Sequence, residues 1–499
     1  MTANHGLRAR LLGLDTHAEC VVFLRKDCPV SRSEGFTSHN RILLSAGGRS
    51  VIATLYQLES EIIGRDEVGL SSAAARALKV KEGEHVSARH APPVESLSLV
   101  RARVYGRSLD GAAFHHIIPD IVAGRYSAIE TTAFITACAA KPLSRDEICG
   151  LTRAMVDAGE TLHWNYPIVV DKHSVGGLPG NRTTPIIVAI CTATGLIMPK
   201  TSSRAITSPA GTADTMETLA PVELDVARLR RVVEQEGGCI AWGGAISLSP
   251  ADDVMIRIEH ALDIDSEGQM IASVLSKKIA AGSNHLVIDM PIGPTAKVRS
   301  TAAAASLEIL FRQVAENFGI KVSVIPGTGS QPIGRGIGPA LEARDVLAVL
   351  RGSSDAPQDL RDRALVLAGA LLELGGKSGA GQGRALAEAV LGDGRAWDKF
   401  QRICEAQGGM RVPPQSKLRR AITAPRDGVV LFMDNRRIAR LAKLAGAPHA
   451  QAAGIDLHVR LGETVATGAP LCTLHAEAEG EFEYAWAYAQ ANADMFAIA

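Results

Sequence analysis

Aromatic residues are only 4% of this 499-residue chain, so its cores must be built from Ala, Val, Leu and Ile rather than from stacked rings. Net charge is also missing: 53 Lys and Arg balance 53 Asp and Glu. That excludes a general nucleic-acid binder, which would carry a basic excess, but leaves room for a local basic cradle around a small acidic substrate. No apolar run reaches the roughly 18 residues of a membrane helix. The start, MTANHGLRARLLGLD, lacks the apolar core and cleavage site of a signal peptide. The eight cysteines are scattered without a CxxC pair, which points to a reduced cytoplasm and to no metal site; Cys191 and Cys472 lie in apolar runs and read as buried thiols. The length calls for three or four domains rather than one core.

What is present concentrates between Asp171 and Glu217. Two Gly/Ser/Thr-rich loops, 172–184 and 200–212, flank one apolar run, 185–196. Gly176 and Gly177 let backbone N–H groups approach an anion. The helix expected over 185–196 adds its positive end, about 0.3–1 kcal/mol toward a nearby anion. Lys172 and Arg204 supply full charges; Ser174, Thr183, Thr184, Ser202, Ser203 and Thr212 supply hydroxyl donors. This is the layout of a site that holds a phosphate and places a sugar beside it.

Residues 1–90 alternate as strands around one short helix, 71–80, and predict a β-rich domain. Helical periodicity with N-cap residues predicts helices over 110–123, 127–140 and 144–159, with a capping box at Ser144 and Glu147. From 165 onward strands (IVVD, CIAWGGA, HLVIDM, KVSVIP) alternate with helices, one of them over 263–281, as in a parallel or mixed α/β sheet. Residues 420–499 form a final β-rich unit. Gly375-Gly-Lys-Ser378 imitates the end of a P-loop, but Leu371 stands where its first glycine belongs. Gly334-Arg-Gly-Ile-Gly338 misses dinucleotide spacing and reads as a turn near the cleft. His115-His116 reads as helix surface, and the four arginines of 423–440 as a solvated face.

The motifs KHS-x-GG and SSRAITS-x-AGTAD-x-ME closely resemble the thymidine and pyrimidine-nucleoside phosphorylase family, and PGN with TSSRAITS is more similar to its AMP (nucleoside 5′-monophosphate) phosphorylase branch. Further matches run through Pro250-Ala-Asp-Asp253, Asp265-Ser-Glu-Gly-Gln269, Ser273-Val-Leu-Ser-Lys-Lys278, Gly293-Pro-Thr-Ala-Lys297 and Gly329-Ser-Gln-Pro-Ile-Gly334. The implied fold is a multidomain α/β protein: an N-terminal double-psi-barrel-like domain (1–90), a helical lobe (95–164 with about 251–283), a large α/β phosphate-binding lobe with a mixed sheet (165–250 and 284–419), and a C-terminal hammerhead-like unit (420–499). The implied phosphate ligands are Lys172, Ser174, Thr184, Ser202 and Thr212. The implied nucleotide contacts are Gly177, Ser203, Arg204, Ala205, Ile206, Thr207, Ser208, Thr212, Ser273, Lys277 and Lys297. Lys172, His173 beside the ribose, and Asp265 as proton donor to the leaving base carry the catalysis. The arginine of the thymidine base pocket aligns at Ile258, which argues against thymine.

The resemblance implies phosphorolysis of a nucleoside 5′-monophosphate to free base and ribose 1,5-bisphosphate, with inorganic phosphate as co-substrate, no cofactor and no metal. It also implies a homodimer or higher homo-oligomer, with no polymer or membrane partner. Three alternatives stay open: a thymidine-type nucleoside phosphorylase, an anthranilate-type phosphoribosyltransferase, and a nucleotide sensor without turnover. Two lobes on short connections imply closure over the substrates.

Overall fold

In the computed structural model the described residues are 6–499, apart from 18, 206–207, 263 and 265 and the side chain of 260. Contacts divide the chain into residues 1–141 and 142–499.

In the first unit six strands, β1 (Leu7–Leu11), β2 (Val21–Arg25), β3 (Arg41–Ala46), β4 (Arg49–Leu58), β5 (Glu67–Leu70) and β6 (His85–His90), close into a barrel of order β1-β5-β2-β4-β3-β6. Two of its ladders, β1–β5 and β2–β4, are parallel and the rest antiparallel. Its interior is aliphatic, with Val22, Leu24, Ile42, Leu44, Leu55 and Val68 wholly buried. Helices Leu97–Val104, Gly111–Val122 and Ala128–Ala140 follow. Ser127 and Glu130 form a capping box, each satisfying a backbone N–H that the helix leaves open.

The second unit opens with helix Arg145–Asp157, capped by Ser144 and Glu147 and packed against helix Glu267–Ala280. Its central strands are β7 (Val170–Ser174), β8 (Met198–Ser202), β9 (Gly238–Trp242), β10 (His285–Ile292) and β11 (Lys321–Thr328). The sheet expected to be mixed is parallel in each described ladder: β11–β10–β7, and β8–β9. A parallel bridge between Val169 and Ile197 links the two groups. Each strand returns through a helix, and such a crossover imposes parallel pairing. Helix Thr184–Ala193 lies in the middle of the core, with nine residues, Thr184 to Thr192, buried. At the C-terminal end, strands Gly336–Ile337, Gly454–Leu457, Pro470–Ala476 and Leu418–Thr423 form an antiparallel sheet. Helix Asn435–Leu444 buries Ile438, Leu441 and Ala442 in the core of that region. Among the described residues no helix is long and apolar enough to cross a membrane.

Candidate active site

Strand β7 ends where the first Gly-rich loop begins, and β8 ends where the second begins. Helix Thr184–Ala193 runs between them, so one buried rod fixes both loops. The loops meet in a cavity of about 800 Å³, a volume suited to a small ligand. Gly177 adopts φ +80°, and a Cβ there would collide with the Lys297 backbone nitrogen; only glycine lets the first loop lie against the 293–297 turn. The N-cap residue Thr183 makes no side-chain cap to helix Thr184–Ala193, and a helix start without a cap leaves N–H groups that a ligand can use. The Ser174 hydroxyl lines the cavity, is shielded from water and has no hydrogen-bond partner among the described residues. A shielded polar group without a partner is costly and marks a place where a ligand would supply one.

Below the loops the cations are paired. The Lys172 ammonium, 2% exposed, lies 3.4 Å from Asp289 and donates to Thr183 Oγ1 at 3.0 Å. Asp289 also accepts from Asn181 Nδ2 at 3.0 Å and from the Arg363 guanidinium. Burial lowers the pKa of Lys172 while Asp289 opposes it. A second knot holds Asp171 between Lys200 (3.2 Å) and Lys278 (2.7 Å). Burial by itself would raise Asp171, but the two ammonium groups outweigh it and its pKa is lowered. His173, on the cavity wall, is held well below its ordinary pKa, first by burial and then by the charges of Lys278, Lys277, Lys200 and Lys172. Its ring is therefore neutral near pH 7.

The second loop is tied to the first by Arg182. Its guanidinium donates to Thr212 Oγ1, to the Ala210 carbonyl and to the buried Glu342, each at 2.7 Å. Because Thr212 accepts that bond, its own hydroxyl hydrogen is left to donate elsewhere. Arg204 is engaged by Glu217, Asp214 and Glu223 and lies over Trp242. The guanidinium expected to meet a phosphate thus lines the cavity while engaged by three carboxylates. Lys277 donates to Asp252 at 2.8 Å and to Ser273 Oγ at 2.9 Å.

The cavity thus gathers Lys172, His173, Ser174, Gly177, Thr184, Ser202, Ser203, Arg204, Ser208, Thr212, Ser273, Lys277 and Lys297. Ala205 instead lines a smaller adjoining cavity. Ile206, Thr207 and Asp265 lie outside the described residues. On helix Pro250–Leu262 the cavity is met by Ile256 and Glu259, not by the aligned Ile258.

Sequence reasoning did not single out Asp289, Glu342 or the wall formed by helix Asn435–Leu444. A carboxylate inside the apolar run HLVIDMPI was the available signal for Asp289, since a buried strand tolerates a charge only when it is paired. The arginines read as a solvated face include Arg436 and Arg440, which are exposed as expected and, with Lys443, also line the cavity. Spacing places them on one helix face, but only packing shows where that face points. Among the described residues no three His, Cys, Asp or Glu side chains group as a metal set.

Residues 97–159 match the helical bundle domain of a glycosyl transferase family, 166–397 its a/b domain, and 429–495 the pyrimidine nucleoside phosphorylase C-terminal domain. A protein of Sphingopyxis alaskensis named "Putative thymidine phosphorylase" is 62% identical over 95% of this chain and 93% of its own length. One of the same name from a Polaromonas species is 60% identical over 95% and 92%. Among solved structures, anthranilate phosphoribosyltransferase from Thermus thermophilus superposes with a TM-score of 0.53 at 20% identity, over 62% of this chain and 98% of that one. The Saccharomyces cerevisiae enzyme of that name gives 0.52 at 15% identity, over 63% and 98%; these two likenesses concern the fold alone.

Proposed function

This chain belongs to the thymidine and pyrimidine-nucleoside phosphorylase family of glycosyl transferases, and from that premise we propose that it cleaves the N-glycosidic bond of a nucleoside 5′-monophosphate with inorganic phosphate. The C1′–N bond breaks, a C1′–O bond to phosphate forms, and the base departs with the bonding electrons and takes up a proton. The products are free base and ribose 1,5-bisphosphate. The observation that carries the reading is the convergence of two hydroxyl-bearing loops on one cavity, with the Ser174 hydroxyl shielded and without a partner among the described residues.

In this reading Ser174, Thr184, Ser202 and Thr212 donate to the attacking phosphate above the buried Lys172. Their orientation is fixed before the substrates arrive, which is where most of the rate gain for an oxocarbenium-like transition state lies. Neutral His173 gives the ribose a hydrogen bond without adding a cation beside a carbon that is becoming positive. Ser273 and Lys277 face the base, Asp265 is the proton donor carried over from the resemblance, and Gly177, Ser203, Ser208 and Lys297 hold the nucleotide. Inorganic phosphate is the co-substrate and no further cofactor enters the scheme. A homodimer belongs to the same proposal.

A second reading, a nucleoside phosphorylase releasing a pentose 1-phosphate, is favoured by the names of the relatives at 62% and 60% identity. Base release from AMP, CMP, UMP, thymidine and uridine, each with and without phosphate, separates the two. Phosphate-dependent release from the monophosphates is expected. Release from thymidine or uridine alone transfers the protein to the nucleoside reading, and release that ignores phosphate sinks both.

A further inference from the structure

Arg436, Arg440 and Lys443 stand four and three residues apart on helix Asn435–Leu444, a spacing that puts them on one face. All three line the cavity that holds the two loops. The charge pattern around that cavity is uneven. The loop and floor cations Lys172, Lys200, Arg182 and Arg204 each face a carboxylate. Arg436, Arg440 and Lys443 have no carboxylate at ion-pair distance among the described residues. Arg437, one residue off that face, is paired at 2.6 Å with Asp494. Among the described residues, therefore, the arginine that points elsewhere is neutralised and those on the cavity face no carboxylate.

The helix is also a firm support. Asp434 caps it by accepting from the N–H groups of Arg436 and Arg437. Asn435, 1% exposed, donates through Nδ2 to Thr295 Oγ1 and to the Gly329 carbonyl, both at 2.9 Å. The Arg440 guanidinium lies 5.7 Å from the Tyr488 ring, which guides the side chain without cancelling its charge.

We propose that this face is a second anion subsite of the cavity, and that its ligand is the 5′-phosphate monoester of the substrate. The proposal rests on the nucleotide reading above. One attacking phosphate is already supplied with donors by the loops, and a neutral nucleoside offers nothing to three cations that face no carboxylate among the described residues. A dianionic monoester does, because guanidinium forks match its oxygens and an ammonium adds a point charge.

The test compares wild type with R436Q/R440Q and R436Q/R440Q/K443Q, and with R437Q as a control. The kcat/KM ratio of AMP over adenosine and of UMP over uridine is measured, with the phosphate KM alongside. Because Arg436 and Arg440 are exposed, each contact has the modest strength of a solvated ion pair, and loss of two or three is expected to lower the nucleotide-to-nucleoside ratio about 30- to 100-fold, with R437Q retaining the wild-type ratio. An unchanged ratio overturns the subsite and leaves the nucleotide reading standing. A wild type that turns over nucleosides alone overturns the reading and the subsite together. A shift confined to the phosphate KM identifies free phosphate as the ligand and overturns the assignment to the 5′ position. Equilibrium binding of AMP and adenosine is measured in parallel. A variant that binds AMP as the wild type does overturns the subsite even where turnover is too slow to read.

Discussion

The floor of the cavity and its C-terminal wall are both built from cations, and they treat those cations in opposite ways. On the floor Lys172, Lys200 and Lys278 are sealed beneath the surface, each held to Asp289 or Asp171. On the wall Arg436 and Arg440 are exposed and face no carboxylate among the described residues. A buried charge cannot be left unpaired, so the floor's cations are fixed in place and act by position and field. An exposed charge bears little desolvation cost, so the wall can hold its cations open for a partner that arrives later. The lesson is that counting basic residues around a pocket says little until each has been traced to its carboxylate.

The largest expected effect comes from breaking the floor. Asp289→Asn leaves the buried Lys172 and the part-buried Arg363 without their carboxylate, and removal of one partner from such a network costs about 3–5 kcal/mol. Denaturant unfolding should show that loss together with the loss of phosphate-dependent turnover; wild-type stability would mean that the pairing does not hold the floor. Lys172→Ala, within the same network, should damage the use of phosphate far more than the binding of base, as read from KM values for each.

Ser174→Ala should come next. It deletes a hydroxyl that has no partner among the described residues, so stability should hold while the phosphate KM rises by roughly 10- to 100-fold, the value of about 1.5–3 kcal/mol for a hydrogen bond to a charged group. A matching fall in stability would assign that hydroxyl to the fold instead.

Salt sharpens the contrast further. Exposed charges are screened over about 10 Å at 0.1 M ionic strength, so the preference for nucleotide over nucleoside should fall severalfold between 0.05 and 0.5 M salt. Unfolding of Asp289→Asn relative to wild type should be nearly indifferent to the same salt. A preference that is flat with salt would place its origin away from the wall.

The smallest effect expected concerns His173. Burial and its lysine neighbours hold it below its ordinary pKa of 6.5, so folding excludes a proton that the unfolded chain would bind. The group therefore adds no pH dependence above 6.5, and it weakens the fold as pH drops below that value. His173→Asn should remove part of that acid-side slope in denaturation curves recorded across pH, and the wild-type rate should show no His173 inflection between pH 7 and 8.

Much of this contrast was legible in the sequence on one side and opaque on the other. The loops declared themselves through Gly176, Gly177 and their hydroxyl residues, because a backbone that must approach an anion limits which residues it can use. The N-cap at Ser127 and the capping box at Ser144 were equally local. Asp289 was not legible as the partner of Lys172, because the pairing depends on the β7–β10 register, in which Ser174 stands opposite Asp289. Arg204 offered a charge in the sequence, but its three carboxylates converge on it only in the fold. The arginines of 423–440 could be placed on helix faces, but not on the cavity, until the core of Ile438, Leu441 and Ala442 fixed the rotation of their helix.

The way the cavity is closed also bears on how the protein reaches its native state. Asn181 and Asp289 are 108 residues apart, and Gly329 and Asn435 are 106 apart. The first depends on the parallel pairing of β7 with β10, both close long loops, and such non-local closure is slow. Ligand competence is therefore expected among the last properties to appear during refolding, after the helices have formed. A nascent chain that has emerged only as far as Gly329 has the floor's lysines and aspartates but no wall. Substrate that bridges floor and wall would then act chiefly on the rate of unfolding, holding together the contacts that the folding transition state has not yet made.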